Sequence, residues 1–302
     1  MSVFGDIAYN IIGPIVLIVG AAVVVDRLFS PDPSGLSRLI IYLFSPFLVL
    51  DGVAHSELTP GEAGQLVAVA AIVSAAVCAA AWWVARLSHF DRKLESSFML
   101  TAVLINAGNY GIPLNRFAFG DEGADRAIIF FVVTVLVSNT VGIFLASRGS
   151  VSTRRALLNV AGVPLPYAAA LGLAFNLSDA QMPVPVARAI STLADASIPA
   201  MLALLGIQLS RASIRGRIKP IVMAAGMRLI VSPVIAVALV ALLGLSGLTR
   251  QVAIVQASMP TAVIAGVLTT EFGGDIDFVT GAILVSTVAS TVTLSVILSL
   301  LM

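Results

Sequence analysis

The sequence has little charge and almost no cysteine. Only 11% of its 302 residues are charged and 59% are hydrophobic, whereas a soluble domain averages about 25% charged residues. Too few polar groups are present to cover the surface of a soluble fold of this size. The single cysteine, Cys78, cannot form an intrachain disulfide. The net charge of +1 gives no electrostatic reason to expect a nucleic-acid partner.

The sequence also lacks the motifs of membrane-embedded enzymes. It has no His-Glu-x-x-His run, and its two histidines, His55 and His89, lie near the ends of apolar segments. An intramembrane aspartyl protease would have to use Asp51 and Asp195, which have no recognisable motif around them. We therefore expect no enzyme, no metal site and no cofactor. The protease and a receptor without transport are kept as remote alternatives.

The sequence has instead a series of long apolar runs. A helix that crosses a membrane needs about 20 mostly apolar residues. The first run follows Asp6 rather than a basic segment, which predicts a spanning helix and not a cleaved signal peptide. The sequence thus predicts an all-α integral membrane protein. Its ten predicted spans cover about 7–25, 38–54, 63–86, 97–119, 126–147, 155–175, 186–209, 218–245, 249–271 and 277–301.

Lysine and arginine in the connecting loops predict the orientation. The odd-numbered loops hold twelve of these residues and the even-numbered loops hold four. Cytoplasmic loops retain basic residues, so the odd-numbered loops are predicted to be cytoplasmic. Both termini then lie outside, and we expect a multi-pass protein of the bacterial inner (plasma) membrane with periplasmic termini.

The spacing of prolines predicts an internal repeat. Each half, 1–148 and 149–302, would hold five helices, and an odd number means that the second half enters the membrane from the opposite side. Inverted repeats of this kind are typical of secondary transporters. The alternative is that proline is simply frequent in membrane helices. Three pairs recur at offsets of 150, 153 and 147 residues: Pro14 with Pro164, Pro46 with Pro199, and Pro113 with Pro260.

Two spans contain residues that interrupt helices. Residues 106–113 of the fourth span include two asparagines, two glycines and a proline, which weaken or break a helix. The ninth span has Gln-Ala-Ser-Met-Pro-Thr at 256–261. In hydrocarbon, freed backbone groups need partners in the protein or in a water-filled cavity. Paired breaks in corresponding positions therefore predict a transport site. Two kinked packing helices are the alternative.

The candidate substrate-binding residues come from these two interruptions. Helix N-termini favour anions, and amide side chains offer both donors and acceptors. The predicted site could therefore hold a carboxylate, and hydroxyl and amide oxygens could also ligate sodium. The candidates are Asn106, Asn109, Tyr110, Pro113, Gln256, Ser258, Pro260 and Thr261.

Three ionisable residues fall inside predicted spans. A charge at this depth is costly and is usually paired or functional. Our hypothesis is that Asp195 and Arg228 approach each other or the cavity, and that one of them carries a proton or helps to bind an anion. A structural ion pair is the alternative. Asp51 lies nearer its helix end, with His55 following, and we expect it to be a solvated cap.

With these residues in view, the chain resembles the auxin efflux carrier family, which includes the plant PIN-type carriers and bacterial permeases for dicarboxylates. The order and spacing of four short motifs carry the resemblance, which runs from end to end. The motifs are Asn106 with Gly111-Ile112-Pro113-Leu114, Ala189-Ile190-Ser191 through Asp195-Ala196, Met227-Arg228 ahead of Ser232-Pro233, and Val255 to Pro260 leading to Glu271-Phe272.

The resemblance implies a ten-helix fold like that of bile-acid symporters. Helices 1, 2, 6 and 7 would form a scaffold that dimerises, and helices 3–5 and 8–10 a transport domain that moves like an elevator. Helices 4 and 9 would cross, and Asn106 would contact the substrate carboxylate. The family often has Asn-Pro in the sixth helix, where this sequence has Val163-Pro164, so no amide is implied there.

Together these features predict a secondary active transporter of a small organic anion, either auxin-like or a dicarboxylate. A sodium- or proton-coupled symporter of another organic solute is the alternative, so the expected coupling ion is H⁺ or Na⁺. The other expected partners are membrane lipid and a second copy of the chain.

Overall fold

The computed structural model describes residues 3–147, 161–178, 182–214 and 217–302, and these ranges are helical apart from short connections. One isolated antiparallel pairing joins Ile105 to Thr261. We number the helices of the described ranges in chain order: α1 (Phe4–Phe29), α2 (Pro33–Ala54), α3 (Pro60–Leu87), α4 (Arg92–Val103), α5 (Ala107–Ala146), α6 (Pro164–Ser178), α7 (Val184–Arg211), α8 (Ile218–Leu242), α9 (Gly247–Ala257), α10 (Ile264–Glu271) and α11 (Ile276–Leu301).

Seven of these helices are long and apolar enough to cross a membrane: α1, α2, α3, α5, α7, α8 and α11. The chain is therefore a multi-pass membrane protein. The other four, α4, α6, α9 and α10, have 12, 15, 11 and 8 residues. The predicted fourth and ninth spans are each divided between two helices, so neither appears as a single qualifying helix. The first part of the predicted sixth span lies outside the described residues.

Helix α5 is two helical arms joined at a sharp kink. Its 40 residues would extend about 60 Å if straight, twice the hydrocarbon thickness of a bilayer. At Gly120 the backbone has φ 69° and ψ −161°, a conformation that essentially only glycine adopts. The arm 107–119 therefore completes the predicted fourth span, and the arm 121–146 corresponds to the predicted fifth.

A polar cluster joins three helices at one end of the molecule. Helix α3 starts with a capping box in which the Thr59 N–H donates to Glu62 Oε2 at 3.0 Å and the Glu62 N–H donates to Thr59 Oγ1 at 3.3 Å. Arg126 of α5 donates to the Thr249 hydroxyl at 3.2 Å and lies 3.4 Å from Glu62. Thr249 in turn donates to Glu62 at 3.1 Å. The starts of α3 and α9 are thus held against the second arm of α5.

The helices pack in two groups. In the first helix group, α7 packs against both α1 and α2, and α6 packs against α2; α3–α5 and α8–α11 form the second group. Within the first group, Arg211 of α7 donates two hydrogen bonds to the buried carboxylate of Asp26 on α1, at 2.6 and 3.0 Å. Glycines permit close approach there, because Gly172 of α6 lies against the backbone of α2.

Candidate functional site

Two non-helical stretches cross inside the second helix group. Helix α4 ends at Val103 and α5 begins at Ala107, while residues 258–263 separate α9 from α10. The stretches run antiparallel: the Asn106 N–H donates to the Pro260 carbonyl at 2.9 Å, and the Ala262 N–H donates to the Leu104 carbonyl at 2.8 Å. Each break therefore supplies backbone partners that the other lacks, as burial within a membrane protein requires.

The first break lies slightly earlier in the chain than the sequence pattern predicts. Residues 107–111 form a π-helical turn, and Pro113 lies at the start of the following α-helical segment. A proline is tolerated there because its missing N–H would have no helical partner. The Gly111 N–H donates to the Asn106 carbonyl at 3.0 Å. The glycines and proline thus begin the second helix, and the chain unwinds before them.

Arg228 of α8 binds both helix ends at the crossing. Its side chain is fully buried and donates to the carbonyls of Ala102 at 3.1 Å, Ala257 at 2.9 Å and Met259 at 2.9 Å. It also lies 3.2 Å from the Ser232 hydroxyl. Ala102 and Ala257 lie at the C-terminal ends of α4 and α9, which carry partial negative charge, and Met259 lies two residues beyond α9. The guanidinium charge is therefore balanced by helix ends.

This arrangement corrects the expected approach of Asp195 to Arg228. The Asp195 side chain is 68% exposed and lies 3.9 Å from Arg116 on the first arm of α5. Arg228 needs no carboxylate, because main-chain carbonyls occupy its donors. Asp51 on α2 lies 3.3 Å from His55. Asp51 and Asp195 line one cavity of about 800 Å³ between α2, α5 and α7, at a distance from the buried guanidinium.

A separate cavity of about 310 Å³ lies beside the crossing, between the two helix groups, and we call it the crossing cavity. Its volume is at the lower end of the range for small-molecule sites, roughly 300–1,000 Å³. None of the described residues that line it is charged. Its polar lining comes from Ser37, Tyr42 and Ser45 of α2, Asn106 in the break, Asn109, Thr134, Ser138 and Asn139 of α5, and Gln208 of α7.

A larger groove, of about 1110 Å³, is less suited to transport. The described residues that line it come from α3, α4, α5 and the loop between α3 and α4, all within the second helix group. A site that is reached from the two sides in turn has to lie where parts of the protein move relative to each other. The wall of the crossing cavity, by contrast, comes from both helix groups.

Two of the eight predicted site residues line the crossing cavity: Asn106 and Asn109. The Asn106 side chain is 4% exposed, and its Nδ2 atom is buried without a hydrogen-bond partner among the described residues. The other six, Tyr110, Pro113, Gln256, Ser258, Pro260 and Thr261, are buried within the protein but are not part of the cavity lining.

Those buried residues hold the crossing together. Gln256 donates to the carbonyls of Ala107 and Ala127, at 3.3 and 3.1 Å, and Thr261 donates to the carbonyl of Thr101 at 2.8 Å. The hydroxyl of Ser258 donates back to its own helix at 2.6 Å. Their hydrogen bonds support the shape of the site.

Two helix N-termini reach the crossing cavity. Gly108 and Asn109 at the start of α5, and Val263 and Ile264 at the start of α10, contribute to its lining. The first N–H groups of a helix have no partner inside the helix, and each N-terminus carries roughly half a positive charge. Together with the unpartnered Asn106 amide, the two ends can hold about one negative charge.

Sequence analysis did not predict most of the polar residues that line the crossing cavity. Tyr42, Thr134 and Gln208 are isolated polar residues within apolar helices, and nothing in their spacing distinguishes them. One signal was available at 138–140, where Ser-Asn-Thr interrupts an apolar span. Which side of a helix faces a cavity depends on how α2, α5 and α7 pack, and that is not encoded in any single segment.

The tight contact at Gly111 leads to a prediction about stability. Gly111 has helical φ and ψ of −67° and −46°, so alanine would gain about 1 kcal/mol from helix propensity alone. A Cβ there would overlap Oε1 of the buried Gln256. We expect Gly111→Ala to lower the melting temperature of the purified protein, because Gln256 would have to give up its hydrogen bonds.

Gly266 of α10 is the matched control. It is also a buried helical glycine, but the nearest atom to an added Cβ, Ile283 Cδ1, would be 3.7 Å away. Gly266→Ala should leave the melting temperature unchanged or raise it. Shifts of the same sign in both variants, measured by thermal unfolding in detergent, would contradict the steric explanation.

Comparison with known proteins places this architecture among transporters. A family described as membrane transport protein matches residues 15–298. An uncharacterized transporter of Methanothermobacter thermautotrophicus is 29% identical over 265 residues, which is 87% of each chain. An uncharacterized transporter of Methanocaldococcus jannaschii is 28% identical over 204 residues, or 66% of each chain.

Proposed function

The chain belongs to the membrane transport protein family, which is the auxin efflux carrier family that its motifs resemble, and on this basis we propose that it carries a small organic anion across the plasma membrane. It is a membrane transporter and not an enzyme. The observation that supports an anion most directly is the crossing cavity, where a buried, unpartnered Asn106 amide lies beside two helix N-termini. The proposed substrate group is a carboxylate.

The proposed anion site uses no cationic side chain. A carboxylate can accept hydrogen bonds from the Asn106 amide and from free N–H groups at the starts of α5 and α10. Arg228 is buried at the crossing, where main-chain carbonyls accept its hydrogen bonds, and it does not line the cavity. Binding through dipoles and amides suits a carrier, because a substrate held by a full buried charge would be released slowly.

We extend the proposal to the architecture. Ten spans would form two inverted halves, 1–148 and 149–302, with the boundary outside the described residues. The first helix group would be the scaffold, and the second the transport domain that moves as an elevator. The position of the crossing cavity between the two groups supports this division. A homodimer through the scaffold and periplasmic termini complete the proposal.

Coupling to an ion is a second candidate feature. Asp195 is the better placed of our two coupling candidates, because it shares an open cavity with Asp51 and His55, whereas Arg228 has its donors occupied by carbonyls. Protonation of Asp195 would support proton-coupled transport of an organic solute. Proton coupling is supported if the increase in melting temperature caused by the substrate changes with pH in the wild-type protein but not in Asp195→Asn. An increase that requires sodium would instead favour a sodium symporter.

The anion proposal predicts that carboxylates stabilise the purified protein. We would measure melting temperature in detergent with malonate, malate and indole-3-acetate. At least one acid should raise it in the wild type, and Asn106→Ala should remove the increase. Loss of one hydrogen bond to a charged group weakens binding by about 1.5–3 kcal/mol, or roughly tenfold to a hundredfold in Kd.

Asn176→Ala is the control for general loss of stability. Asn176 of α6 donates to the carbonyls of Ala54 and Ser56, at 3.1 and 2.9 Å, and does not line the crossing cavity. Its replacement should lower the starting melting temperature and keep the increase with the acid. An increase that survives Asn106→Ala would contradict the role of Asn106, and the absence of stabilisation by any acid would contradict an anion substrate.

A further inference from the structure

The groove of about 1110 Å³ between α3, α4 and the second arm of α5 has no part in the proposed anion site, and we call it the outer groove. None of the described residues that line it belongs to the first helix group. Ala71, Ala75 and Ala79, which recur every four residues along α3, line it and are exposed. Helix α3 is long and apolar enough to cross a membrane, so the groove opens towards lipid.

The outer groove has an apolar part and a charged end. Its apolar part is lined by the alanines of α3 and by Val137, Val141 and Phe144 of α5. At the other end, Trp82 lines the groove, and the guanidinium of Arg86 lies 5.5 Å from the centre of its ring. Tryptophan followed by arginine at the end of an apolar span is typical of the membrane–water interface. The charged end therefore lies at the level of lipid headgroups.

The length of the outer groove matches one leaflet of a bilayer. From Ala71 to Arg86 the groove follows α3, and this part of the helix is about 22 Å long. One leaflet with its headgroup region is about 20–22 Å thick. The volume of the groove, about 1110 Å³, exceeds the range of roughly 300–1,000 Å³ for small-molecule sites. An extended acyl chain below a headgroup fits these dimensions better than a small solute does.

The charged end has two positive and two negative side chains, those of Arg86, Arg92, Asp91 and Glu95. Arg86 and Glu95 form a loose ion pair at 3.8 Å. Asp91 caps α4 through Oδ1, which accepts from two N–H groups of the first turn, both at 3.0 Å. Asp91 and Arg92 are exposed, and neither has an ion-pair partner among the described residues. They present opposite charges next to each other to whatever occupies the groove.

This balance of charges favours a headgroup that carries both signs. A phosphate accepts hydrogen bonds from guanidinium groups, and a primary ammonium has three N–H donors for carboxylates. A headgroup with only negative charge would leave the carboxylates of Asp91 and Glu95 without a partner and would be repelled by them. A quaternary ammonium carries positive charge but has no N–H group to donate.

From these observations we infer that the outer groove binds a phospholipid with a primary ammonium in its headgroup, of the phosphatidylethanolamine type. One acyl chain lies along the alanines of α3, the phosphate binds at Arg92 and the ammonium binds at Asp91. The inference does not depend on the proposed anion site, because the two sites share no lining residue among the described ones.

Three lipids with the same acyl chains test the inference. We would titrate the purified full-length protein with dioleoyl phosphatidylethanolamine, phosphatidylcholine and phosphatidylglycerol, and measure Kd by native mass spectrometry. The ethanolamine lipid should bind about threefold to tenfold more tightly than either of the others, the effect of one hydrogen-bonded ion pair near the surface. Glycerophosphoethanolamine, which is the headgroup without acyl chains, should not compete with it.

Asp91→Asn is the deciding variant, because asparagine caps a helix as well as aspartate does but has no charge. It should bind the ethanolamine lipid no more tightly than the choline lipid. Asp32→Asn is the matched control. Asp32 caps α2 from an exposed position by accepting from the N–H groups of Ser34 and Gly35, at 2.9 and 3.1 Å, and it does not line the outer groove. This variant should keep the preference.

Two other variants test the remaining contacts. Ala75→Phe places a large side chain in the apolar part of the groove and should weaken binding of all three lipids. Arg92→Gln should also weaken all three, because each has a phosphate. Arg38→Gln removes an exposed arginine that does not line the groove and should leave the three Kd values unchanged.

Several results would overturn the inference. Any order of affinities in which the ethanolamine lipid does not bind most tightly would contradict the selection of its headgroup, and a preference that survives in Asp91→Asn would contradict the role of Asp91. Unchanged binding in Ala75→Phe, or competition by glycerophosphoethanolamine, would show that no acyl chain lies in the groove. The carboxylate panel with Asn106→Ala tests the proposed anion site separately, so failure of one proposal does not decide the other.

Discussion

Arg228→Ala is expected to abolish the stable fold of the second helix group, and little monodisperse protein should be recovered from membranes. The fully buried guanidinium joins the ends of α4 and α9 through the carbonyls of Ala102, Ala257 and Met259. The Ala257 carbonyl keeps a bond from Ser232, but the other two lose their side-chain donor. Each unsatisfied carbonyl costs about 1–3 kcal/mol, and the empty volume adds to the loss.

Two further variants test whether the loss of stability is specific to the Arg228 side chain. Arg228→Lys keeps the positive charge but lacks the planar fork of donors, so it should recover only part of the stability. Arg250→Ala removes an exposed arginine and should have little effect. Yield and melting temperature after size-exclusion chromatography provide the measurements. Wild-type values for Arg228→Ala would show that the helix ends at the crossing do not depend on this side chain.

A second large effect is expected for Gly206→Leu in the first helix group. A Cβ at Gly206 of α7 would lie 2.5 Å from the carbonyl oxygen of Val19 and 2.6 Å from Ala22 Cβ, both on α1. These are backbone or near-backbone atoms, so neither can rotate away. Leucine would force the two helices apart and should destabilise the protein by several kcal/mol, since small residues are what allow such close packing.

Gly20→Leu on α1 is the matched control for Gly206→Leu. An added Cβ at Gly20 would have no atom within 4 Å, so a leucine there should cause no loss of melting temperature. Equal melting temperatures for the two leucine variants would contradict the close packing of α1 against α7.

Some features of the fold could be read from the sequence because they depend on the solvent. Apolar runs of about 20 residues and a charged fraction of 11% exclude a soluble domain, and the structure has seven helices that qualify as membrane spans. The family motifs led to a transporter family that the comparisons confirm. The places where helices are interrupted were also predictable to within a few residues, since proline, glycine and asparagine act on the local backbone.

The candidate site was harder to predict because its partners are distant in sequence. Our hypothesis was that Asp195 and Arg228 approach each other or the cavity, and Asp195 is not among the partners of Arg228. The actual partners are main-chain carbonyls of Ala102, Ala257 and Met259. Every residue has a carbonyl, so no sequence pattern marks the few that are exposed at helix ends.

The amino-acid sequence by itself determined the surrounding solvent, the helical class and the two short stretches where helices end, because each follows from composition or from local backbone chemistry. Only the tertiary structure decided which side chains face a common space. Asn106 and Gln208 are about a hundred residues apart, and they line one cavity because α7 packs against the start of α5. The polar atoms left without partners there, and the kind of ligand they require, depend on that packing.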